Sequence, residues 1–351
     1  MGAAESKLSF KNKVFKLAGN DSEPPIPSND PYWQMFWNDP ENAEDIFNLL
    51  TFSDIKTIRD TNKTNFLNLI RIITIKLIEI STSKNFPHYS KNSTKQLLNC
   101  IRTLTRLIPF LFEKTELQED INNIFWNLGY NNIDFKDPFN GNSAISSNAT
   151  VGSFTTDTNN SSFSNSSTKV NINLPINKSP SSTDVNVGAP SKLVKPLGEQ
   201  LIHTLVDLLF MNNFTLAESH AKGVEFTIWE IGIGSNGKYE NPDPEIDSNR
   251  LEVLRLILTL VSQGLYTYPK QIVSTGSRFL TVLVSTIGRL KFLTFICSLL
   301  NLVCRSCKAD NDNNGMVYTE SQYSGNKYVA LRRNLVSFAL QLLTTMIVYP
   351  L

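Results

Sequence analysis

The chain is poor in the residues on which most protein chemistry relies. Its 351 residues include four cysteines, Cys100, Cys297, Cys304 and Cys307, and three histidines, His88, His203 and His220. Cysteines so few and so unevenly placed exclude a disulfide framework in a chain of this length. The net charge is +1, which excludes bulk electrostatic attraction to nucleic acid or acidic lipid. Any membrane affinity has to come from a local feature. An apolar secretory segment is missing from the N-terminus, where Lys7, Lys11, Lys13 and Lys16 recur, so the expected compartment is cytoplasmic. Long uninterrupted hydrophobic runs are missing too. The stretch from Phe279 to Cys304 is broken by Arg289 and Lys291, and that from Asn334 to Leu351 is diluted by Ser337, Gln341, Thr344 and Thr345. Both read as buried helices rather than membrane spans.

What is present is a helical pattern. Apolar residues make up 41% and charged residues 19%, a globular balance. Phe66, Leu69, Ile70, Ile73 and Leu77 recur at helical spacing, as do Leu97, Ile101, Leu104, Leu107 and Ile108. Pro109 is expected to end or kink the second of these helices. Further helical segments are expected over Leu197–Phe210, Leu251–Leu265, Phe279–Arg305 and Tyr328–Tyr349. Residues 137–191 are dominated by Ser, Asn, Thr, Gly and Pro and read as a disordered insertion that cannot bury enough apolar surface to offset its ordering. The expected fold class is all-α, an irregular α-solenoid-like helical stack. Its divisions are a basic N-terminal segment over 1–29, helical blocks over 30–136 and 192–351, and the insertion between them. The strongly apolar last helix predicts a chain cut from a longer one.

One motif carries chemistry. Met1-Gly2-Ala3-Ala4-Glu5-Ser6-Lys7 fits the N-myristoylation pattern, in which Gly2 supplies the amine, small residues fit the transferase channel, and Ser6 and Lys7 complete recognition. A single myristoyl chain binds bilayers with an association constant on the order of 10⁴ M⁻¹, so a second contact is needed. Lys11, Lys13, Lys16 and Phe10 are the candidates for it, each lysine worth about 1 kcal/mol near an anionic surface. On a helical wheel Phe10, Val14 and Leu17 share one face while Leu8 and Phe15 lie nearly opposite. Half of these apolar side chains are therefore expected to dock on the protein itself.

Other patterns fail on context. Gly232-Ile233-Gly234-Ser235-Asn236-Gly237 matches the dinucleotide fingerprint, but Asn241-Pro242-Asp243-Pro244 follows where a helix should open, so a glycine turn is expected and no nucleotide. Cys304-Arg305-Ser306-Cys307 lacks a second ligand pair for zinc and a βαβ setting for redox work. His203 and Asp207 lie four apart, as in a helix-surface contact. No nucleophile, acid pair, metal or cofactor is indicated, and an enzyme is not expected.

Several segments together resemble the high-temperature-induced dauer-formation protein family, distantly akin to dymeclin. They are Gly2 with Ser6-Lys7-Leu8-x-Phe10, Phe36-Trp37, Asn99-Cys100-x-Arg102-x-Leu104-Thr105-Arg106 running to Phe112-Glu113, and Phe125-Trp126. Beyond the insertion come Pro196-Leu197, Asp207-Leu208-Leu209-Phe210, Phe214-Thr215, Trp229-Glu230 with Gly232-Ile233-Gly234, and Asn249-Arg250 leading to Leu254-x-Leu256. The composition looks like a fungal version, and family members are considerably longer. The resemblance implies a non-enzymatic protein, peripheral on Golgi membranes through myristoyl-Gly2 and acting in secretory sorting. It further implies protein partners, a deubiquitinase among them, and no nucleic acid.

Overall fold

A computed structural model describes residues 10–19, 24–84, 86–87, 91–128, 195–217, 227–235, 243–268, 270, 276–309 and 324–348, without the side chains of 307–309 and 324–326. Gly2, Ser6, Lys7, His88, His220, the 137–191 stretch and the Cys307 side chain lie outside the described residues. The helices are α1 (Met35–Asn38), α2 (Ala43–Leu49), α3 (Phe52–Thr61), α4 (Lys63–Thr82), α5 (Lys91–Glu113) and α6 (Gln118–Phe125). They continue with α7 (Leu197–Leu208), α8 (Pro244–Val261), α9 (Arg278–Ser285), α10 (Arg289–Ala309) and α11 (Ser324–Ile347). Among the described residues there is no strand, only the isolated bridges Asn212–Leu216 and Gly232–Ser235. The fold is all-α.

Local signals set the early turns. Asn42 and Asp45 cap α2 reciprocally, Thr51 and Asp54 do the same for α3, and Asn62 caps α4. Each capping box satisfies free N–H groups at a helix start, so α2, α3 and α4 follow one another across single or paired residues. Pro109 does not end α5, which runs on to Glu113. Phe110, Leu111 and Phe112 are buried there, at roughly 1.5–3 kcal/mol each, and that outweighs the penalty of about 3 kcal/mol for an internal proline. The expected Phe279–Arg305 helix is two helices. Gly288 takes a left-handed φ of 83° between them, a conformation glycine adopts without strain, and the axes bend by 104°.

The two helical blocks share one core. The described residues of 1–133 and 194–351 form a single compact unit. Within this unit α5 packs on α4 and on α8, α8 packs on α11, and α7 returns against α4 and α6. Trp126 and Gly198, on either side of residues 129–194 in the sequence, are neighbours in this unit. A Cβ on Gly198 would lie 2.9 Å from the Trp126 ring, while Phe125 and Trp126 sit 5.2 and 4.9 Å from the Phe279 ring.

An ion-pair network pins α3 to the end of α5. Arg59 Nη1 donates to Glu113 at 2.7 Å and to the Phe110 carbonyl at 3.1 Å, and Asp60 accepts from Arg59 Nε at 2.9 Å and Lys114 at 2.7 Å. The hydrogen bond from Arg59, then that from Lys114, lowers the Asp60 carboxyl from its ordinary 3.8 to about 2. A carboxylate depressed by folding adds stability above its unfolded pKa and loses it as pH falls through the folded one. Asp60→Asn should therefore flatten the acid limb of stability between pH 3.8 and about 2. The difference should stay under about 1 kcal/mol because the pair is solvent-screened. Urea denaturation across that range measures it, and an unchanged limb would refute the assignment.

Candidate functional site

The N-terminal helix, residues 10–15, is attached by its apolar face. Phe10 is 4% exposed and its ring meets Phe36 edge-on at 6.0 Å, while Val14 and Leu17 are fully buried. Polar contacts fix the register. Tyr32 Oη donates to the Lys13 carbonyl at 2.6 Å, Asn65 Nδ2 to the Leu17 carbonyl at 3.1 Å, and the Ile26 N–H to Asn65 Oδ1 at 2.9 Å. Burial pushes the Tyr32 phenol above its ordinary value, which keeps it a donor.

Phe10, expected at a membrane surface, is thus part of the core. Burial against Phe36 removes it from any lipid contact in this conformation. Lys13 pairs with Asp39 at 2.9 Å, so its charge is largely answered within the protein. Besides Lys13, residues Asn12, Phe15 and Lys16 face outward, and Lys11 is half-buried. Phe15 is 50% exposed, with the Lys11 ammonium 5.9 Å from its ring, and Lys16 sits 5.4 Å over Tyr32. A basic surface with one half-exposed aromatic, held on the helical body, begins nine residues after Gly2 at its nearest lysine. Sequence reasoning missed the residues that hold this arrangement, Tyr32, Asp39 and Asn65. Only their spacing from the helix, invisible along the chain, makes them relevant.

A second constellation is buried between α8, α10 and α11. Asp247 is fully enclosed; its Oδ2 accepts from Arg332 Nη1 and Tyr328 Oη, both at 2.9 Å, and its Oδ1 accepts from Arg250 Nη1 at 3.1 Å. Arg332 Nη2 also donates to Glu230, and Arg305 stands 3.8 Å from the second Glu230 oxygen. Arg250 reaches the Thr215 carbonyl at 2.8 Å and lies 4.9 Å from the Trp229 ring. Each of these arginines already serves a protein acceptor. The cluster joins loops to helices rather than presenting groups to a substrate.

The glycine motif has a similar role. Asn301 of α10 donates to the carbonyls of Glu230 and Ile233 at 3.0 and 3.1 Å and accepts the Ile233 N–H at 2.8 Å. A Cβ on Gly232 would stand 2.4 Å from Asn301 Oδ1, so the glycine allows this close approach. The N–H that a phosphate-binding turn would direct at its ligand here donates to an asparagine.

The remaining candidates lie apart. His203 shares a 2.9 Å hydrogen bond with Thr286, stands 3.7 Å from Glu199, and is pushed below its ordinary pKa by burial. Asp207, expected to face His203, instead pairs with Lys291 of α10. Cys100 is buried, Cys297 half-buried and Cys304 exposed. Among the described residues no three His, Cys, Asp or Glu side chains are placed to hold a metal. No single described helix is long and apolar enough to cross a membrane, and α9 with 289–306 would qualify only as a bent pair.

Known sequences resemble this chain. The family described as high-temperature-induced dauer-formation protein matches residues 1–351. A Schizosaccharomyces pombe protein named Ubp5-interacting protein ftp105 is 32% identical over 339 residues, covering 87% of this chain and 35% of the relative. Human protein HID1 is 25% identical over 318 residues, covering 87% and 33%. Protein ECM30 of Saccharomyces cerevisiae is 26% identical over 256 residues, covering 71% and 15%. The chain thus spans about a third, or less, of the relatives it matches. No solved structure matches it.

Proposed function

The chain belongs to the high-temperature-induced dauer-formation protein family, and from that premise we propose that it is a non-enzymatic scaffold, peripheral on the cytosolic face of Golgi membranes and acting in secretory protein sorting. Myristoyl-Gly2 is the lipid anchor, with Ser6 and Lys7 completing the transferase signal. The observation that carries the reading is the docked N-terminal helix. Its apolar face is bound to the body, so its other side carries the exposed Phe15 and Lys16 and the half-buried Lys11, which follow the lipidation signal in the sequence. An acyl chain whose own binding is marginal gains from such a surface.

The test is membrane fractionation. Gly2→Ala should move the protein from the membrane to the soluble fraction. Lys11→Glu with Lys16→Glu should weaken binding to anionic vesicles by roughly tenfold or more, at about 1 kcal/mol per lysine removed, and high salt should mimic it. Unchanged membrane association of Gly2→Ala would remove the anchor from the account.

A second reading has one observation in its favour, the name Ubp5-interacting protein carried by a relative. On that reading the chain is a soluble adaptor that localises an enzyme such as a deubiquitinase, and membrane contact is incidental. Proximity labelling of the Gly2→Ala protein separates the two. An adaptor keeps its partners off the membrane, whereas a membrane scaffold loses them.

A further inference from the structure

An apolar groove opens where α5, α8, α9 and α11 meet. Its volume is about 830 Å³, within the ~300–1,000 Å³ range of small-ligand sites. Pro109, Leu258, Val261, Leu280, Leu340 and Val348 line it, and no charged side chain does. Four of its hydroxyls already donate to backbone carbonyls. Thr259 donates to the Arg255 carbonyl, Ser262 to Thr259, Thr344 to Leu340 and Thr345 to Gln341, all within 2.8–2.9 Å. Tyr266, Ser277 and Gln341 add further polar groups to a wall that is otherwise mostly apolar, so a ligand meets chiefly apolar surface. The rim is apolar too, with Leu265 83% and Val348 73% exposed.

We propose that this groove receives the chain's own N-myristoyl group, so that the anchor is buried in the protein when it is not in a bilayer. The inference rests on the myristoylation read above. The chemistry fits, because a saturated acyl chain carries no hydrogen-bonding demand and no charge. The tether fits as well. Phe10 is fixed against Phe36, and Asn99 of α5 donates to the carbonyls of Trp37 and Pro40. Pro109 lies ten residues further along α5, about 15 Å at the helical rise. It is on the side of α5 from which Arg102 reaches Glu252 of α8, seven residues and nearly two whole turns away. The eight residue steps from Gly2 to Phe10 span up to about 28 Å when extended. Because bilayer binding by one acyl chain is marginal, an intramolecular site with a millimolar-range effective concentration competes with it.

The full chain, made with and without an N-myristoyltransferase and checked by intact mass, tests this. Unmodified Gly2→Ala protein should bind the fluorescent fatty acid cis-parinaric acid, and myristate should displace it. Gly264→Trp and Thr344→Trp project bulk into the groove from positions that leave the core untouched. A Cβ at Gly264 meets nothing within 4 Å, and Thr344 is exposed. Each should cut parinaric acid binding at least about tenfold, and, in the myristoylated protein, raise the vesicle-bound fraction about tenfold. Myristoylation should also slow hydrogen exchange over 258–266 and 340–348, and the Trp variants should abolish that protection. Failure of the transferase to modify Gly2 would remove the anchor, and the proposal with it. A modified protein whose groove still binds parinaric acid as freely as Gly2→Ala overturns this inference alone and assigns the groove to membrane lipid. Self-association lost in Thr344→Trp would assign it to a second copy, again overturning it.

Discussion

Asp247→Ala is expected to destabilise the fold by about 3–5 kcal/mol, the loss found when one partner of a buried ion pair is removed. The carboxylate has no access to water, and three donors converge on it. Without it Arg332 keeps only Glu230, and Arg250 keeps only the Thr215 carbonyl and the Trp229 face. Glu230, which already serves Arg332 and stands 3.8 Å from Arg305, would then have to answer the Arg250 charge as well. The damage should be distributed, because Asp247 sits on α8, Arg332 on α11, and Glu230 in the loop that Asn301 of α10 holds. Urea denaturation gives the measurement, with Tyr328→Phe as the comparison. That change removes one neutral donor and should cost about 0.5–1.5 kcal/mol. A loss below 1 kcal/mol for Asp247→Ala would mean that water enters the cluster and solvates the arginines. Against a total stability of roughly 5–15 kcal/mol, the expected value leaves a protein that folds but opens readily.

The helices were legible because burial imposes a period. Phe66, Leu69, Ile70, Ile73 and Leu77 are all buried in α4, and Leu97, Ile101, Leu104, Leu107 and Ile108 in α5. The polar groups that lock those helices together were not. In the sequence Asn301 and Arg332 read as polar interruptions of an apolar stripe, and Asp247 as one polar residue among several in the first turns of α8. Nothing local separates an interruption that meets a partner dozens of residues away from one that meets water. The family motifs illustrate the difference. Asn99, Arg102, Arg106, Glu113, Trp229 and Arg250 carry the resemblance, and in the structure each bridges distant segments, as Arg106 does to the Phe47 and Leu50 carbonyls. Their role follows from tertiary geometry alone. The N-terminal helix was half legible: its two apolar faces were evident, but which one docks depends on Phe36, 26 residues from Phe10, and Tyr32, 19 residues from Lys13.

The glycine turn offers the second large effect, through the side chain that approaches it. Asn301→Ala removes one donor pair and one acceptor that serve three backbone groups of the 230–233 loop, at about 2–4 kcal/mol for buried polar groups left unmatched. Gly232→Ala should cost a similar amount by a different route. Its φ of 155° strains any L side chain, and the new Cβ would overlap Asn301 Oδ1, forcing the asparagine out of register with all three partners. Both substitutions therefore break the same clamp, and the double mutant should fall short of the sum of the singles by about 1–2 kcal/mol. Full additivity would show that the loop and Asn301 act independently. Gly264→Ala, where the added carbon meets nothing, is the control and should change stability by under about 1 kcal/mol. The consequence reaches past the turn. Glu230 opens the clamped segment and holds Arg332, so loosening Gly232 should also weaken the Asp247 cluster. Gly232→Ala and Asp247→Ala should then be coupled, although Gly232 makes none of the Asp247 hydrogen bonds.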